Sequence, residues 1–232
     1  MKKLFYNRKL MVTIFVVLIV LATMLALVPL AFSLFSTPGV KTEPVNPDGA
    51  KEATTDVNGE WRVDKGNPRN FTSVGFTIQE ILPAEKTITS GSTTDVEGNV
   101  VVSDGELRSG DVTVNMDALT TDKKVRDQNM KMKLFETDKF PEAHFEITEP
   151  VDLSHVPDDG SMGKIDIAGE MTIKDATQPV EATFDVLRDG DHVVVGGDIP
   201  INRLDYNIET PEFLAAKVNE EGTINIRLNL RK

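Results

Sequence analysis

From residue 73 to its C-terminus the chain alternates apolar and polar positions in short bursts. Val74, Phe76 and Ile78 alternate with Ser73, Gly75, Thr77 and Gln79. This period of two marks a strand with one buried face. The rhythm returns at Val96/Val100/Val102 with Gly98 in phase, at Val112/Val114/Met116 and at Phe145/Ile147. It continues at Ile165/Ile167/Met171/Ile173 with Gly169 in phase, at Val180/Ala182/Phe184/Val186, at Val193/Val195/Ile199 and at Ile224/Ile226/Leu228/Leu230. Asp104-Gly105, Asp159-Gly160, Asp189-Gly190 and Glu221-Gly222 supply turn signals. One segment differs: Thr121 to Phe135 lacks Gly and Pro and is rich in helix formers. It predicts a single helix over about 122–134, with Thr120 or Thr121 as cap and Asp122 at the positive end of the dipole. About eight strands with one apolar face require a sandwich or a closed barrel. Gly98, Gly169 and Gly197 fall in strand interiors, where bends or bulges are expected, and favour an all-β antiparallel barrel. Eight strands leave an interior that side chains fill or that holds one small ligand. The periodicity leaves both open.

The first 40 residues obey a different rule. Residues 10–40 contain no charged side chain, and Lys2, Lys3, Arg8 and Lys9 precede them. A bilayer core takes about 20 apolar residues as a helix, and basic flanks stay on the cytoplasmic side. Residues 1–9 are therefore read as a cytoplasmic N-terminus and residues 10–35 as a transmembrane helix. The protein is then expected in the cell membrane as a single-pass protein, with the rest of the chain on the extracytoplasmic side. A cleaved signal peptide competes, because Pro29 interrupts the run and Ala31-Phe32-Ser33 supplies small residues. The length of the run favours the uncleaved anchor, since signal h-regions take about 7–15 residues. Residues 36–58, punctuated by Pro38, Gly39, Pro44, Pro47 and Gly49, read as a flexible or extended linker. Residues 59–232 read as one folded domain.

Charge narrows the possible partners. The chain carries a formal −12, and all four basic residues of the N-terminus lie before the apolar run. The remainder of the chain has 21 Lys and Arg against 37 Asp and Glu, a charge of −16. Nucleic acid is excluded as a partner, and the overall charge argues against flat electrostatic docking on anionic lipid. There is no cysteine, hence no disulfide and no lipidated N-terminal thiol. His144, His155 and His192 match no metal-ligand spacing. No Gly-x-Ser-x-Gly and no Gly-rich phosphate loop occurs. A non-enzymatic protein without metal or cofactor is expected.

Several segments, in a fixed order along the chain, carry a resemblance. Trp61-x-Val63-Asp64 opens the series. Arg126-Asp127 comes next, then Leu134-Phe135-Glu136, Phe140-Pro141 and Phe145. Gly169-Glu170-Met171-Thr172-Ile173 precedes Pro179-Val180, and Ile201-Asn202-Arg203-Leu204-Asp205-Tyr206 closes the series. Together these resemble the YceI-like family of lipocalin-like polyisoprenoid-binding barrels. Phe71, Thr72 and Glu80 stand where the family often has His-Ser and a second His. With the N-terminal apolar run, the chain looks more like membrane-tethered relatives from Gram-positive actinobacteria than like periplasmic ones. The resemblance implies an extended eight-stranded antiparallel barrel with an apolar tunnel for an isoprenoid or other long-chain lipid. Phe76, Ile78, Met116, Met171, Ile173 and Phe184 are the inward set, and under that implication they line the tunnel. Arg126 and Arg203 hold a lipid head group or serve the fold, and the sequence leaves both open. The expected function is a membrane-tethered lipid-binding protein. A ligand-free barrel acting as a protein-interaction or stress-related surface module is the alternative.

Overall fold

The computed structural model describes residues 15–17, 19, 23, 40–81, 86–210 and 217–232. The basic segment 1–9 lies outside the described residues, as does almost all of the membrane helix expected over 10–35. Phe15, Val16, Val17, Ile19 and Thr23 are helical, and the Thr23 hydroxyl donates to the Ile19 carbonyl at 2.7 Å. Among the described residues no helix is long and apolar enough to cross a membrane. The chain divides after Thr37 into two units.

The second unit contains eleven strands among its described residues: β1 (Gly59–Asp64), β2 (Ser73–Ile81), β3 (Lys86–Thr93), β4 (Val96–Ser103), β5 (Glu106–Asn115), β6 (Glu142–Ile147), β7 (Val151–Asp152), β8 (Met162–Ile173), β9 (Ala176–Asp189), β10 (His192–Asn202) and β11 (Lys217–Arg231). All pairings are antiparallel, and eight strands close a ring in the order β1-β4-β5-β6-β8-β9-β10-β11 and back to β1. β11 makes closure possible because it is 15 residues long. On one edge it pairs with β10. On the other its last residues pair with β1 and its earlier ones with β2. The β2–β3 hairpin thus continues the wall where β1 ends. Each apolar burst lies on a strand or at its end. β3 has no such burst to announce it, because Ile88 is the one large apolar residue in its sequence, KTITSGST.

Two expectations need correction. Glu221-Gly222 is not a turn; it lies inside β11, at the register shift between Val218 and Gly222 opposite β2. Asp104-Gly105 does turn β4 into β5, with both residues at positive φ. The strand glycines Gly169 and Gly197 make no bulge, for the ladders run through them in register. They leave room for rings. A Cβ on Gly169 would lie 2.5 Å from Phe145 Cζ, and one on Gly197 would lie 2.8 Å from Phe184 Cδ1.

The β9–β10 ladder is short. It runs from the Asp189–His192 pair to the Asp185–Gly196 pair, and no further pair joins these strands among the described residues. Beyond that point β9 pairs only with β8, and β10 only with β11. Pro179 and Pro200 lie in these separated halves and have no N–H to offer a ladder. The turn Arg203–Tyr206 (a 3₁₀ turn) lies across the seam, and the Gln178 Nε2 amide donates to the Asp205 carbonyl at 2.9 Å.

Residues 40–58, expected to be part of a free linker, are extended and strapped to the outside of the barrel. Val45 packs on Leu187 and Val194, both 0% exposed, in a second small core separate from the barrel interior. Leu187 and Val194 are partners in the β9–β10 ladder, in opposite phase to the inward Val186, Val193 and Val195. Hydrogen bonds fix the strap at intervals. Thr42 Oγ1 meets Ser73 Oγ at 2.8 Å, the Asn46 amide donates to Asn70 Oδ1 at 2.8 Å, and the Lys51 amide donates to Asp189 Oδ1 at 2.9 Å. Thr54 N–H donates to the Gly190 carbonyl at 2.8 Å, and Arg188 to the Thr55 carbonyl at 2.8 Å. Gly196 lets the strap approach, since a Cβ there would lie 2.5 Å from Val45 Cγ2. Proline and glycine punctuation suggests a free coil, but Val45 has a dry site waiting for it on the sheet.

These contacts set two expectations for stability. Val45→Ala should lower the unfolding free energy by about 1.5–3 kcal/mol, the worth of a buried valine side chain, measured by denaturant unfolding. A value near zero would mean that the strap is not held. The second concerns Tyr206, whose hydroxyl is buried without a partner among the described residues. Burial, and secondarily the Asp205 carboxylate, push its pKa up to about 12. The unfolded chain ionises this group near pH 10, so its contribution is complete below pH 10 and is lost as the pH rises toward 12. Stability should fall across that window by up to about 3 kcal/mol, at about 1.4 kcal/mol per pH unit. Tyr206→Phe should flatten the fall, and an unchanged alkaline slope in that variant would refute the assignment.

Candidate functional site: an apolar cavity in the barrel

The barrel interior is not filled by its side chains. It encloses a cavity of about 500 Å³ with an almost wholly apolar lining. All six residues of the expected inward set lie on that lining: Phe76 and Ile78 from β2, Met116 just after β5, Met171 and Ile173 from β8, and Phe184 from β9. Strand alternation brings them together, because inward positions of neighbouring strands stack across the ladder. Other inward positions of the same bursts line it too, including Val112, Phe145 and Ile165. Leu134 and Phe135, from the helical segment, are lining residues that the alternation does not anticipate. The Phe135 ring meets Phe76 edge-on, centroids 6.0 Å apart and planes at 64°. Nothing in a helical period says which side will face a barrel; only the resemblance singles out this pair.

The helical segment is shorter and less regular than expected. α1 spans Lys124–Asn129 and passes into a wide π-type turn over Met130–Phe135, which ends at Glu136 with φ of 50°. The extra residue in a π turn shifts the side chains beyond it, and Met130, Leu134 and Phe135 all reach the cavity. No side chain of the expected threonines caps α1 directly. Asp127 reaches back to accept the Thr121 N–H and hydroxyl, each at 2.7 Å, and the Thr121 Oγ accepts the Lys123 N–H at 3.2 Å. At the other end the Lys139 ammonium, and then Lys174, hold the Glu136 carboxyl below its ordinary pKa. Lys174 also donates to the Asn207 carbonyl at 3.0 Å, so it ties the helical segment to the turn after β10.

The cavity opens beside α1. Val125 lines it and is nevertheless 70% exposed. Lys123, Arg126, Asn129 and Lys133 share this rim, and Glu80, Thr210 and Val218 line the cavity from β2, the segment after β10, and β11. Arg126 reaches the lining, and its ion-pair partner is Asp122 on its own segment rather than a strand carboxylate. Arg203 also reaches the lining but is buried, and its donors go to the chain: Nε to the Asn219 carbonyl at 3.0 Å, Nη1 to the Ile208 carbonyl and Nη2 to Thr210 Oγ1 at 3.5 Å. These contacts hold the chain between β10 and β11 in place. The histidines stand apart. His144 is exposed beside Thr113, His155 meets the Lys164 carbonyl, and His192 meets Asn229. Among the described residues no group of three or more His, Asp or Glu is placed to hold a metal ion.

Solved structures share this architecture. BcnA from Burkholderia cenocepacia superposes with a TM-score of 0.56 at 20% identity, covering 68% of this chain and 95% of its own. A polyisoprenoid binding domain from Saccharophagus degradans, implicated in plant cell wall breakdown, superposes with a TM-score of 0.57 at 14% identity, covering 74% of this chain and 97% of its own. At these identities the likeness is one of fold. No curated protein matches the sequence. The sequence model of the YceI-like domain matches residues 55–230, about three-quarters of the chain, and the protein belongs to the YceI-like domain family.

Proposed function

We propose that this protein is a non-enzymatic carrier that takes an isoprenoid or other long-chain lipid into the barrel cavity. The observation that carries the reading is the cavity itself: about 500 Å³ inside a closed wall, with apolar side chains on nearly every side. Small-molecule sites run from roughly 300 to 1,000 Å³ and are mostly apolar. The fold neighbour from Saccharophagus degradans, described as polyisoprenoid binding, supports the choice of ligand class. Phe76, Ile78, Met116, Met171, Ile173 and Phe184 then contact the chain of the lipid, and methionine suits a ligand of variable shape. Removing a CH₂ from water is worth roughly 0.8 kcal/mol, but a chain drawn from a bilayer is already dry. Transfer is therefore close to neutral, which suits a carrier better than a sink. The apolar run 10–35, with its basic flank, supports a second element of the proposal: a barrel tethered at the outer face of the cell membrane.

Residues 40–232 are a suitable test object, because every core residue of the barrel lies between Val45 and Leu230. This unit, purified from its own host, should carry a long-chain lipid detectable by native mass spectrometry. Met171→Trp should reduce uptake at least tenfold while leaving the circular dichroism spectrum unchanged. A wild-type unit that carries none and binds none in titration would sink the carrier reading in favour of a surface interaction module. For the tether, a protease added to wall-stripped intact cells should digest the barrel and spare the N-terminus. Complete protection of the barrel would reverse the orientation, and a mature chain beginning near Leu34 would replace tethering by secretion.

A further inference from the structure

The helical segment beside the cavity mouth carries a charge opposite to that of the chain. From Asp122 to Lys133 five basic residues, Lys123, Lys124, Arg126, Lys131 and Lys133, outnumber two acidic ones, whereas the whole chain is at −12. Both acidic residues are engaged locally, Asp122 with Arg126 and Asp127 with Thr121. Among the described residues Lys123, Lys124 and Lys131 take part in no ion pair. The same short stretch displays Val125 at 70% and Met132 at 62% exposure, the two most exposed large apolar side chains among the described residues of the barrel unit. A single exposed apolar residue needs no explanation. Two of them among these three lysines, in a segment of which Lys123 and Val125 line the apolar cavity, have the composition of an interfacial element: apolar groups for the acyl boundary and long cationic side chains that snorkel to the phosphates.

We propose that α1 and the π-type turn after it dock on an anionic phospholipid surface, with Val125 and Met132 entering the interface and Lys123, Lys124 and Lys131 among the phosphates. The cavity mouth then faces the bilayer. The docking rests on the reading of the cavity as a lipid site, which gives it a purpose. The overall negative charge does not forbid it. Screening confines electrostatic attraction and repulsion to about 8–10 Å at physiological salt, while β8, with 12 residues, spans about 40 Å at roughly 3.3 Å per residue. Acidic groups at the far end of the barrel lie several screening lengths from the surface, and on the cavity lining Glu80 stands against Lys123, Arg126 and Lys133.

The lack of any cysteine permits a direct test. In the full chain Met132→Cys carries an environment-sensitive dye, and Asp104→Cys, in the β4–β5 turn, carries the control. Each is mixed with vesicles of phosphatidylcholine alone or of phosphatidylcholine with phosphatidylglycerol. The dye at 132 should shift to the blue in the anionic vesicles and not in the neutral ones, and the dye at 104 should shift in neither. One lysine near an anionic surface is worth about a fivefold gain in partition. Changing Lys123, Lys124 and Lys131 together to Gln should therefore weaken the response on the order of 100-fold. If that triple variant does not fold, raising the salt on the wild-type chain should abolish the shift. Absence of a shift in anionic vesicles, an equal shift in neutral ones, or a shift insensitive to salt overturns the proposal. A shift that appears without vesicles on adding host proteins also overturns it, in favour of a protein partner. The lipid content of the cavity is read separately by mass spectrometry, so docking and carriage fail independently.

Discussion

A barrel that keeps a cavity among its inward apolar side chains is packed less completely from within, so bracing of its wall from outside counts for more. The brace is the buried guanidinium of Arg227. It projects from β11 to the outside, is 2% exposed and stacks on the Phe71 ring at 4.4 Å. It donates to the Phe71 carbonyl at 2.9 Å, to Pro44 at 3.3 Å and to Arg69 at 3.4 Å. Burial lowers its pKa, and the nearby Glu43 acts in the opposite direction. Its neighbours on the same outer face, Asn225 and Asn229, are equally enclosed. Asn225 accepts from Thr77 and donates to Asp198, and Asn229 binds Thr72, Asn70 and His192. A polar layer buried in this way is directional. It joins strap, β1–β2 loop, β2, β10 and β11 at the strand on which closure of the ring depends.

The arrangement divides the work between the two faces of the sheet. Inward positions supply apolar surface and leave space, while outward positions on β11 and along the strap supply hydrogen bonds and a second apolar contact. Stability therefore draws on both faces, while ligand capacity rests on the inner face alone. A core filled to the usual density would have served the first and abolished the second.

The strand plan is legible because period-two alternation survives wherever one face is wet. It identifies the strands of the long bursts and places six residues correctly on the inner face. It fails where that condition fails. The run Val193-Val194-Val195 has no alternation, because the strap covers Val194 from outside while its neighbours face inward; three successive apolar residues in a strand are the available sign that both faces are buried. β3 is silent because Thr89, Ser90, Ser92 and Thr93 are buried polar residues. The fold uses Glu221-Gly222 for a register shift, not a turn. The rim is illegible for another reason. Net charge averages over the chain, and the basic character of Lys123 to Lys133 matters only once α1 is seen beside the opening.

The seam between β9 and β10 bears on how such a wall behaves when something enters it. Past Gly196 the two strands share no ladder, and side-chain and backbone contacts with the turn Arg203–Tyr206 span the interval. Elsewhere a change in girth must break rows of interstrand hydrogen bonds together, which makes a closed sheet a rigid hoop. Here the hoop has a split. Across it the wall is held by the hydrogen bonds of one short turn and not by a ladder. Pro179 and Pro200, which have no N–H to offer, lie on the two strands past the point where their ladder ends, so a wall that is closed elsewhere by rows of hydrogen bonds has one stretch where the row is absent.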